Sequence, residues 1–143
     1  MIKVAKFGGS SCASAEQFRK VKDIVLSDKS RHYIVVSAPG KRASGDTKVT
    51  DLLYRLQDAV ADEKKFQETL QTIKDRYQEI IDGLELQFSL AADFDRIEQD
   101  LKAGADRDYA ASRGEFLNAK LMAAYLGFSF VDAKSWLQFD YAG

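Results

Sequence analysis

The apolar positions near the start of the chain change their spacing from that of a strand to that of a helix and back. Residues 2–7 are rich in β-forming types, which predicts a short strand. Apolar residues then recur at helical spacing, which predicts a helix over about 14–27 with Ser14 as its N-cap. The continuous apolar run 32–38 is typical of a strand covered on both faces. Strand, helix and strand together predict a βαβ unit with two parallel strands.

The remainder of the chain is dominated by helical spacing. The polar segment 39–46 contains the only proline and two glycines, which predicts a mobile loop. Residues 128–133 have the composition of a third strand, and 136–139 that of a short strand or an extended tail. Apolar stripes predict four more helices, over about 49–60, 66–84 and 94–101 and in a stretch that ends before Gly127. The pattern therefore indicates an α/β framework interrupted by helices.

Composition narrows the class of protein. The 143 residues fit one domain, and 45% hydrophobic with 30% charged residues is typical of a soluble globular protein. A net charge of -1 argues against a nucleic-acid-binding module. One cysteine and one histidine argue against a zinc site or a Cys–His nucleophile pair. The chain lacks the roughly 20-residue apolar run of a membrane helix, and lysines interrupt its first apolar segment, so we expect no signal peptide and a cytoplasmic protein.

Two glycines follow the first predicted strand and raise the question of a ligand. Backbone N–H groups at Gly8 and Gly9 are accessible because glycine has no Cβ, and the carboxyl end of a parallel strand is where ligands collect. Lys6 adds a positive charge, and Ser10 and Ser11 add hydrogen-bond donors. Together with the start of the next helix, these groups favour an anion such as a phosphate. The residues alone leave open a plain strand-to-helix turn with an exposed lysine.

Four motifs in order make the chain resemble a known family. The segment KFGGSS, residues 6–11, resembles the N-terminal signature of aspartokinases within the amino acid kinase family. Three further segments are similar to family motifs: IVVSA at 34–38, KVTDLL at 48–53 and SRGEFLNAKL at 112–121. The resemblance covers essentially the whole chain, although 58–102 matches in helical character only.

The resemblance implies a fold and a domain role. The expected architecture is a three-layer, open, mainly parallel sheet with helices on both faces, truncated and carrying a helical insertion at about 58–104. Family members are much longer, so residues 1–143 would be the N-terminal part of an amino acid kinase domain, which binds the amino acid substrate and phosphate. The catalytic aspartate, the nucleotide base pocket and the regulatory domains would lie outside it.

The resemblance also implies an activity, its ligands and its site residues. Aspartokinases transfer the γ-phosphoryl group of ATP, with Mg²⁺, to the side-chain carboxylate of L-aspartate on the route to lysine, threonine and methionine. The expected partners are L-aspartate and ATP, and a homo-oligomer at full length. The residues carried over are Lys6 as the catalytic group that stabilises the transferred phosphoryl group, Lys6, Gly8, Gly9 and Ser10 for phosphate and ATP, and Ser37, Thr50 and Glu115 for aspartate.

Each substrate-binding residue has a structural alternative. Ser112 and Glu115 have the spacing of a helix-start capping box. Thr50, in the first turn of a helix, could serve the backbone, and Ser37 could satisfy local backbone groups. Cys12 is interpreted as a small filler and not as a nucleophile, although a helix N-terminus could lower its pKa.

Two further functions stay open from the sequence. One is another kinase of the same fold, acting on acetylglutamate, glutamate or carbamate; the other is a non-catalytic, anion-binding interaction module. We expect this chain alone to have no measurable kinase activity, which turnover of ATP and aspartate would contradict. Open strand edges should promote self-association, which a clean monomer in sedimentation would contradict.

Overall fold

The structure, a computed structural model, describes residues 1–137. Its sheet has two parallel strands, β1 (Lys3–Phe7) and β2 (Arg31–Val36), in which Lys6 lies opposite Val35. The pairing extends one residue further, because the Ser37 amide donates to the Phe7 carbonyl at 3.0 Å. The helices are α1 (Ala15–Leu26), α2 (Val49–Asp58), α3 (Glu63–Gly83), α4 (Ala91–Lys102) and α5 (Arg107–Leu126).

The local signals at helix ends act as the sequence predicts. Ser14 is the N-cap of α1, and its hydroxyl accepts from the Gln17 amide at 3.3 Å. Gly127 follows α5 with a φ of 73°, a left-handed conformation that glycine adopts without strain. The predicted βαβ unit and its parallel strands are confirmed.

The core lies between the helices and one face of the sheet. Helix α3 contributes the predicted apolar stripe, from Phe66 to Ile81, and α5 packs against both α2 and β2. The largest fully buried side chains are Tyr77, Phe18, Phe66, Leu53, Leu56, Leu70, Ile73, Ile80, Ile97, Leu101, Leu117 and Leu121. Residues 63–102, which form α3 and α4, thus supply much of the core.

One face of the sheet is exposed within the described part of the chain. Val4 pairs with Tyr33 in register, and their side chains are 66% and 61% exposed; Val35, opposite Lys6, is 47% exposed. The prediction that residues 32–38 form a strand covered on both faces is therefore wrong. Within residues 1–137, one face of β2 is exposed. Each strand also has one unpaired edge in this range, which is the condition under which we expect self-association.

The third predicted strand is absent. Residues 128–132 have no regular secondary structure, and Ala133–Ser135 form a 3-10 turn. The aromatic rings there pack on α5 instead: Phe130 meets Phe116 edge to face with centroids 5.5 Å apart. Trp136, which follows this turn, is 63% exposed. Of the predicted last element, 136–139, the final two residues lie outside the described residues.

Helix α5 begins earlier than the capping-box spacing suggests. Its N-cap is Asp106, whose carboxylate accepts from the Tyr109 amide at 2.8 Å. Ser112 lies inside the helix and donates to the Tyr109 carbonyl at 2.7 Å. The capping-box alternative for Ser112 and Glu115 is therefore wrong, and Glu115 has no role at a helix start.

None of the helices within residues 1–137 combines the length and the apolar character needed to cross a membrane.

Candidate functional site

The glycine turn leaves a set of backbone amides without partners. The Gly8 carbonyl accepts from the Ser11 amide at 3.1 Å, and the Gly9 carbonyl accepts from the Cys12 amide at 3.1 Å, which forms the 3-10 turn Ser10–Cys12. Within residues 1–137, no hydrogen bond is donated by the backbone nitrogens of Gly8, Gly9 or Ser10. These three consecutive donors are therefore available to an anionic ligand.

Lys6 lies two residues before this turn and is exposed. Its ammonium group has no ion pair or hydrogen bond within the described residues, whereas Lys3 on the same strand pairs with Asp28 at 2.8 Å. The glycine turn is therefore preceded, two residues earlier, by a lysine whose charge has no partner within residues 1–137. Helix α1 contributes less than expected, because it begins only after the 3-10 turn and Ser14 caps its first turn.

The segment after β2 is held mainly through its backbone. The Ser37 carbonyl accepts from the Asn118 side-chain amide at 2.6 Å, and its N–H bonds β1. The Ser37 hydroxyl makes no hydrogen bond to residues 1–137. The alternative in which Ser37 only satisfies local backbone groups therefore holds for its main chain and not for its hydroxyl. The side chain is half-buried and open to a ligand.

Thr50 does not serve the backbone within the described residues. In α3, the hydroxyls of Thr69 and Thr72 bond the carbonyls four residues earlier, at 2.8 and 3.0 Å. Thr50 makes no such bond, and its helix begins with the Val49 amide donating to the Pro39 carbonyl at 3.1 Å. The hydroxyl of Thr50 is therefore a free polar group next to the loop that follows β2.

Gly114 brings α5 close to the other parts of the site. A Cβ at this position would lie 2.8 Å from Ala38 Cβ and 3.0 Å from Leu53 Cδ1, so only glycine fits without displacement. Tyr77 Oη donates to the Gly114 carbonyl at 2.7 Å and fixes this helix turn. Glu115 follows at once and is exposed, and its carboxylate has no hydrogen bond or ion pair within residues 1–137.

The four sequence motifs converge around Ala38. A Cβ on Gly9 would lie 3.1 Å from the Ala38 carbonyl, and Gly114 contacts the Ala38 side chain. Val49, next to Thr50, lies within 4 Å of the same point on α5. The structure therefore places the glycine turn, the end of β2, the start of α2 and the middle of α5 at one edge of the fold.

Three residues of this region were not singled out by the sequence. Tyr77 belongs to the apolar stripe at 66–84, Asn118 lies within the motif at 112–121, and Arg76 lies beside the apolar stripe. An arginine at helical spacing between Ile73 and Ile80 is the one signal that could have been used, since a charge on a buried stripe needs a specific partner.

Two clefts in the described part of the chain contain none of the predicted site residues. One, of about 330 Å³, lies between α2, α3 and the loop at 39–48 and is lined by Arg42, Arg55 and Arg76 among others. The other, of about 250 Å³, lies between α3 and α4. The predicted site residues therefore lie outside both clefts.

The described residues do not supply a metal cage. Among residues 1–137, no group of three or more histidine, cysteine, aspartate or glutamate side chains could hold a metal ion. This part of the chain therefore has no three-residue ligand set for the Mg²⁺ that the family resemblance implies.

Cys12 is buried behind the glycine turn, fully inaccessible to solvent. Burial raises the pKa of its thiol to about 11, against smaller opposing effects from Asn118 and the Ser37 backbone. The possibility that a helix N-terminus lowers this pKa is wrong, and the filler interpretation is confirmed.

We expect Cys12 to react with iodoacetamide about 100-fold or more slowly in the native chain than in urea, at about pH 8, because the raised pKa alone reduces the thiolate by that factor. Mass spectrometry of the alkylated fraction over time measures both rates. Equal rates would mean that the region behind the turn is open.

The loop at 39–48 is closed by an ion pair. Arg42 Nε and Nη2 donate to the two Asp46 carboxylate oxygens at 2.8 and 3.0 Å, and Arg42 also contacts Glu79 on α3 at 2.6 Å. These hydrogen bonds, with Arg76 3.5 Å away, hold the pKa of Asp46 well below its usual range. The segment that the sequence predicts as a mobile loop has fixed partners.

We expect the stability conferred by Asp46 to be lost in acid. A carboxyl group with a lowered folded-state pKa stabilises fully above its unfolded pKa of about 3.9, and this contribution disappears as the pH falls through the folded value. Urea denaturation should show the wild type more stable than Asp46→Asn at about pH 6 and the difference shrinking towards about pH 2. A difference that stays constant into acid would contradict this.

The parallel sheet, the glycine turn and the converging motifs define the class of protein. The family model described as the amino acid kinase family matches residues 1–139, and the chain belongs to this family. The α/β fold class and the resemblance predicted from the sequence are thereby confirmed.

Within the family, the chain is similar to aspartokinases. It is 39% identical to aspartokinase 3 of Bacillus subtilis, in an alignment that covers 93% of this chain and 31% of that protein. The crystal structure of Clostridium acetobutylicum aspartate kinase matches with a TM-score of 0.85 at 45% identity, covering 91% of this chain and 30% of that one. E. coli aspartokinase III, crystallised with lysine and aspartate, matches with a TM-score of 0.68 at 26% identity, covering 88% and 29%. The chain spans about a third of the length of these relatives.

Proposed function

We propose that this chain is the N-terminal, phosphate- and aspartate-binding part of an aspartokinase. The complete enzyme would transfer the γ-phosphoryl group of ATP to the side-chain carboxylate of L-aspartate and form 4-phospho-L-aspartate, in the biosynthesis of lysine, threonine and methionine. The observation that carries the proposal is the set of three unpartnered amides at Gly8, Gly9 and Ser10, which begins two residues after the exposed Lys6.

Phosphoryl transfer to a carboxylate needs these groups more than it needs a base. The side chain of free aspartate, with a pKa of about 3.9, is already ionised near neutral pH. The barrier lies in bringing this anion to the phosphate, so positioning and charge neutralisation do most of the catalysis. Lys6 would neutralise the transferred phosphoryl group, and the amides of Gly8 and Gly9 would hold the phosphate oxygens in place.

The other edge of the site suits an amino acid. Glu115 offers an uncommitted carboxylate for the substrate ammonium group, and the free hydroxyls of Thr50 and Ser37 can bond its carboxylates. The crystal structure of E. coli aspartokinase III with bound aspartate, at 26% identity, supports aspartate as the substrate. The names of the similar Bacillus and Clostridium proteins favour aspartate over acetylglutamate or glutamate.

An aspartate titration tests this function directly. ¹⁵N-labelled chain should show saturable amide shifts at Thr50 and Glu115 with L-aspartate, and none with N-acetyl-L-glutamate, whose amine is blocked. Glu115→Gln should weaken aspartate binding about tenfold or more, because a charge-assisted hydrogen bond contributes about 1.5–3 kcal/mol. Asp108→Asn is the matched control, since Asp108 is an exposed carboxylate on the same helix, at its first turn.

The result separates this function from the alternatives. An equal response to N-acetyl-L-glutamate would favour another amino acid kinase, and no response to either amino acid or to ATP would favour a non-catalytic module. Unchanged aspartate binding in Glu115→Gln would remove Glu115 from the site. The chain alone is still expected to show no turnover, because it covers only about a third of its relatives.

A further inference from the structure

We propose that Arg76 is a positioning residue for the phosphate-binding turn and that it acts through Gly40. This inference rests on the proposed function, because it assigns a role in organising the same turn. It concerns a side chain on α3, in a region that matches the family in helical character and not in motif.

Arg76 is almost completely buried and is hydrogen-bonded to the backbone of the loop at both ends. Its Nη2 donates to the Gly40 carbonyl and its Nη1 to the Thr47 carbonyl, each at 2.7 Å. Nη1 also lies 3.5 Å from the Asp46 carboxylate. One guanidinium therefore fixes the first and last parts of the segment between β2 and α2.

Gly40 links the loop held by Arg76 to the glycine turn. Its amide donates to the Gly9 carbonyl at 2.8 Å, the same carbonyl that accepts from Cys12 and closes the 3-10 turn. The contact is so close that a Cβ on Gly40 would lie 2.7 Å from the Gly9 carbonyl carbon and 2.9 Å from the Ser10 nitrogen. The position of the Gly40 backbone thus determines where the Gly9 and Ser10 peptides can lie.

The chemistry of arginine suits this task. Its planar guanidinium presents several N–H donors in a fixed arrangement, so one side chain can hold two carbonyls at a set separation, which the point charge of a lysine cannot do. Burying a charged group is costly unless it is paired and hydrogen-bonded. The two carbonyls and Asp46 partner its two terminal nitrogens, whereas the buried Nε has no hydrogen-bond partner within residues 1–137. A charge buried at this cost indicates a specific structural demand at this position.

Arg42 provides a natural comparison. It is in the same cluster and carries the same charge. Within residues 1–137, however, its side chain forms hydrogen bonds only to the carboxylates of Asp46 and Glu79, and it is more exposed than that of Arg76. Removing Arg42 therefore loosens the outer ion pairs and leaves the bonds from Arg76 to the main chain in place.

Hydrogen exchange on the ligand-free chain tests the coupling first. Arg76→Gln should speed hydrogen exchange of the Gly40 amide at least about tenfold. It should also change the NMR chemical shifts of the Gly8, Gly9 and Ser10 amides. Arg76→Lys should have effects between those of the wild type and Arg76→Gln. Arg42→Gln should leave all of these near wild type. If Arg76→Gln fails to fold, Gly40→Ala tests the contact between Gly40 and the glycine turn. Its methyl group displaces the Gly9 and Ser10 peptides while Arg76 stays intact.

ATP binding tests the functional half. Arg76→Gln and Gly40→Ala should each weaken ATP binding about five- to tenfold, and the double variant should be no weaker than the worse single one, because both act through one element. Arg42→Gln should bind ATP like the wild type. Gly40 exchange and turn shifts that are unchanged in Arg76→Gln would overturn the inference. The wild type could bind no ATP while Arg76→Gln still speeds hydrogen exchange of the Gly40 amide. That result would contradict the proposed function and leave the structural coupling between Arg76 and the glycine turn in place.

Discussion

Replacing Lys6 with methionine is expected to weaken ATP binding to the chain about 10- to 150-fold. A hydrogen bond to a charged group contributes about 1.5–3 kcal/mol, and each 1.4 kcal/mol is a factor of ten. Methionine keeps the length and the apolar stem of the side chain and removes only the ammonium group. Isothermal calorimetry with ATP at low ionic strength measures the change, since added salt would screen this exposed charge.

Lys3→Met is the matched control for this experiment. Lys3 is on the same strand but at its other end, and its ammonium group pairs with Asp28 at 2.8 Å. Both variants lose one positive charge, so a general electrostatic effect would weaken ATP binding equally in the two. ATP binding that is equal in Lys6→Met and wild type would remove Lys6 from the site.

Tyr77→Ala is expected to lower the free energy of unfolding by about 3–5 kcal/mol, as for other large aromatic residues cut back in a core. The ring is fully buried, its centroid is 6.0 Å from that of Phe94, and its hydroxyl bonds the Gly114 carbonyl. A domain of this size has only about 5–15 kcal/mol in total, so much of the population would unfold under mild denaturant.

Tyr77→Phe separates the ring from its hydroxyl. It should cost only about 0.5–1.5 kcal/mol, because it removes one hydrogen bond and keeps the packing. Tyr33→Phe, at a tyrosine that is 61% exposed, should change stability by less than about 0.5 kcal/mol. Urea denaturation of the three variants gives the values. Equal losses for Tyr77→Phe and Tyr77→Ala would mean that the ring does not pack as described.

The strands and helices near the site could be predicted because helix caps and the spacing of apolar residues depend on neighbouring residues in the chain. Ser14 caps α1, Gly127 ends α5, and the alternation of strand and helix spacing produces the parallel pair β1 and β2. The order of the four motifs then predicted the family, since each motif follows a strand end or lies on a helix that must reach the same edge of the sheet.

The predictions that were wrong failed because the outcome depends on tertiary packing. Residues 128–133 look like a strand, but a strand needs a paired neighbour, and Phe130 finds an apolar contact on Phe116 instead. The spacing of Ser112 and Glu115 suggests a later helix start than the one observed, because the first turn of α5 is polar and carries little periodicity, while Asp106 provides the cap. Composition cannot distinguish these outcomes, because they depend on which surface lies opposite.

The role of the loop at 39–48 could not be predicted for a similar reason. Glycine, proline and charge indicate mobility when the segment is considered alone, yet its partner, Arg76, is about 30 residues away on α3. The two hydrogen bonds from Arg76 go to backbone carbonyls, which carry no sequence signal. Only the packing of α3 against this loop reveals the contact.

The amide spectrum of the ¹⁵N-labelled chain during an ATP titration tests the central claim most directly. We expect saturable shifts concentrated at Gly8, Gly9 and Ser10, whose N–H groups have no partners within residues 1–137. Binding as weak as about 10 mM would still be visible by this method, even though it corresponds to less than about 4 kcal/mol. Shifts confined to the cleft lined by Arg42, Arg55 and Arg76, with the glycine turn unchanged, would contradict the account.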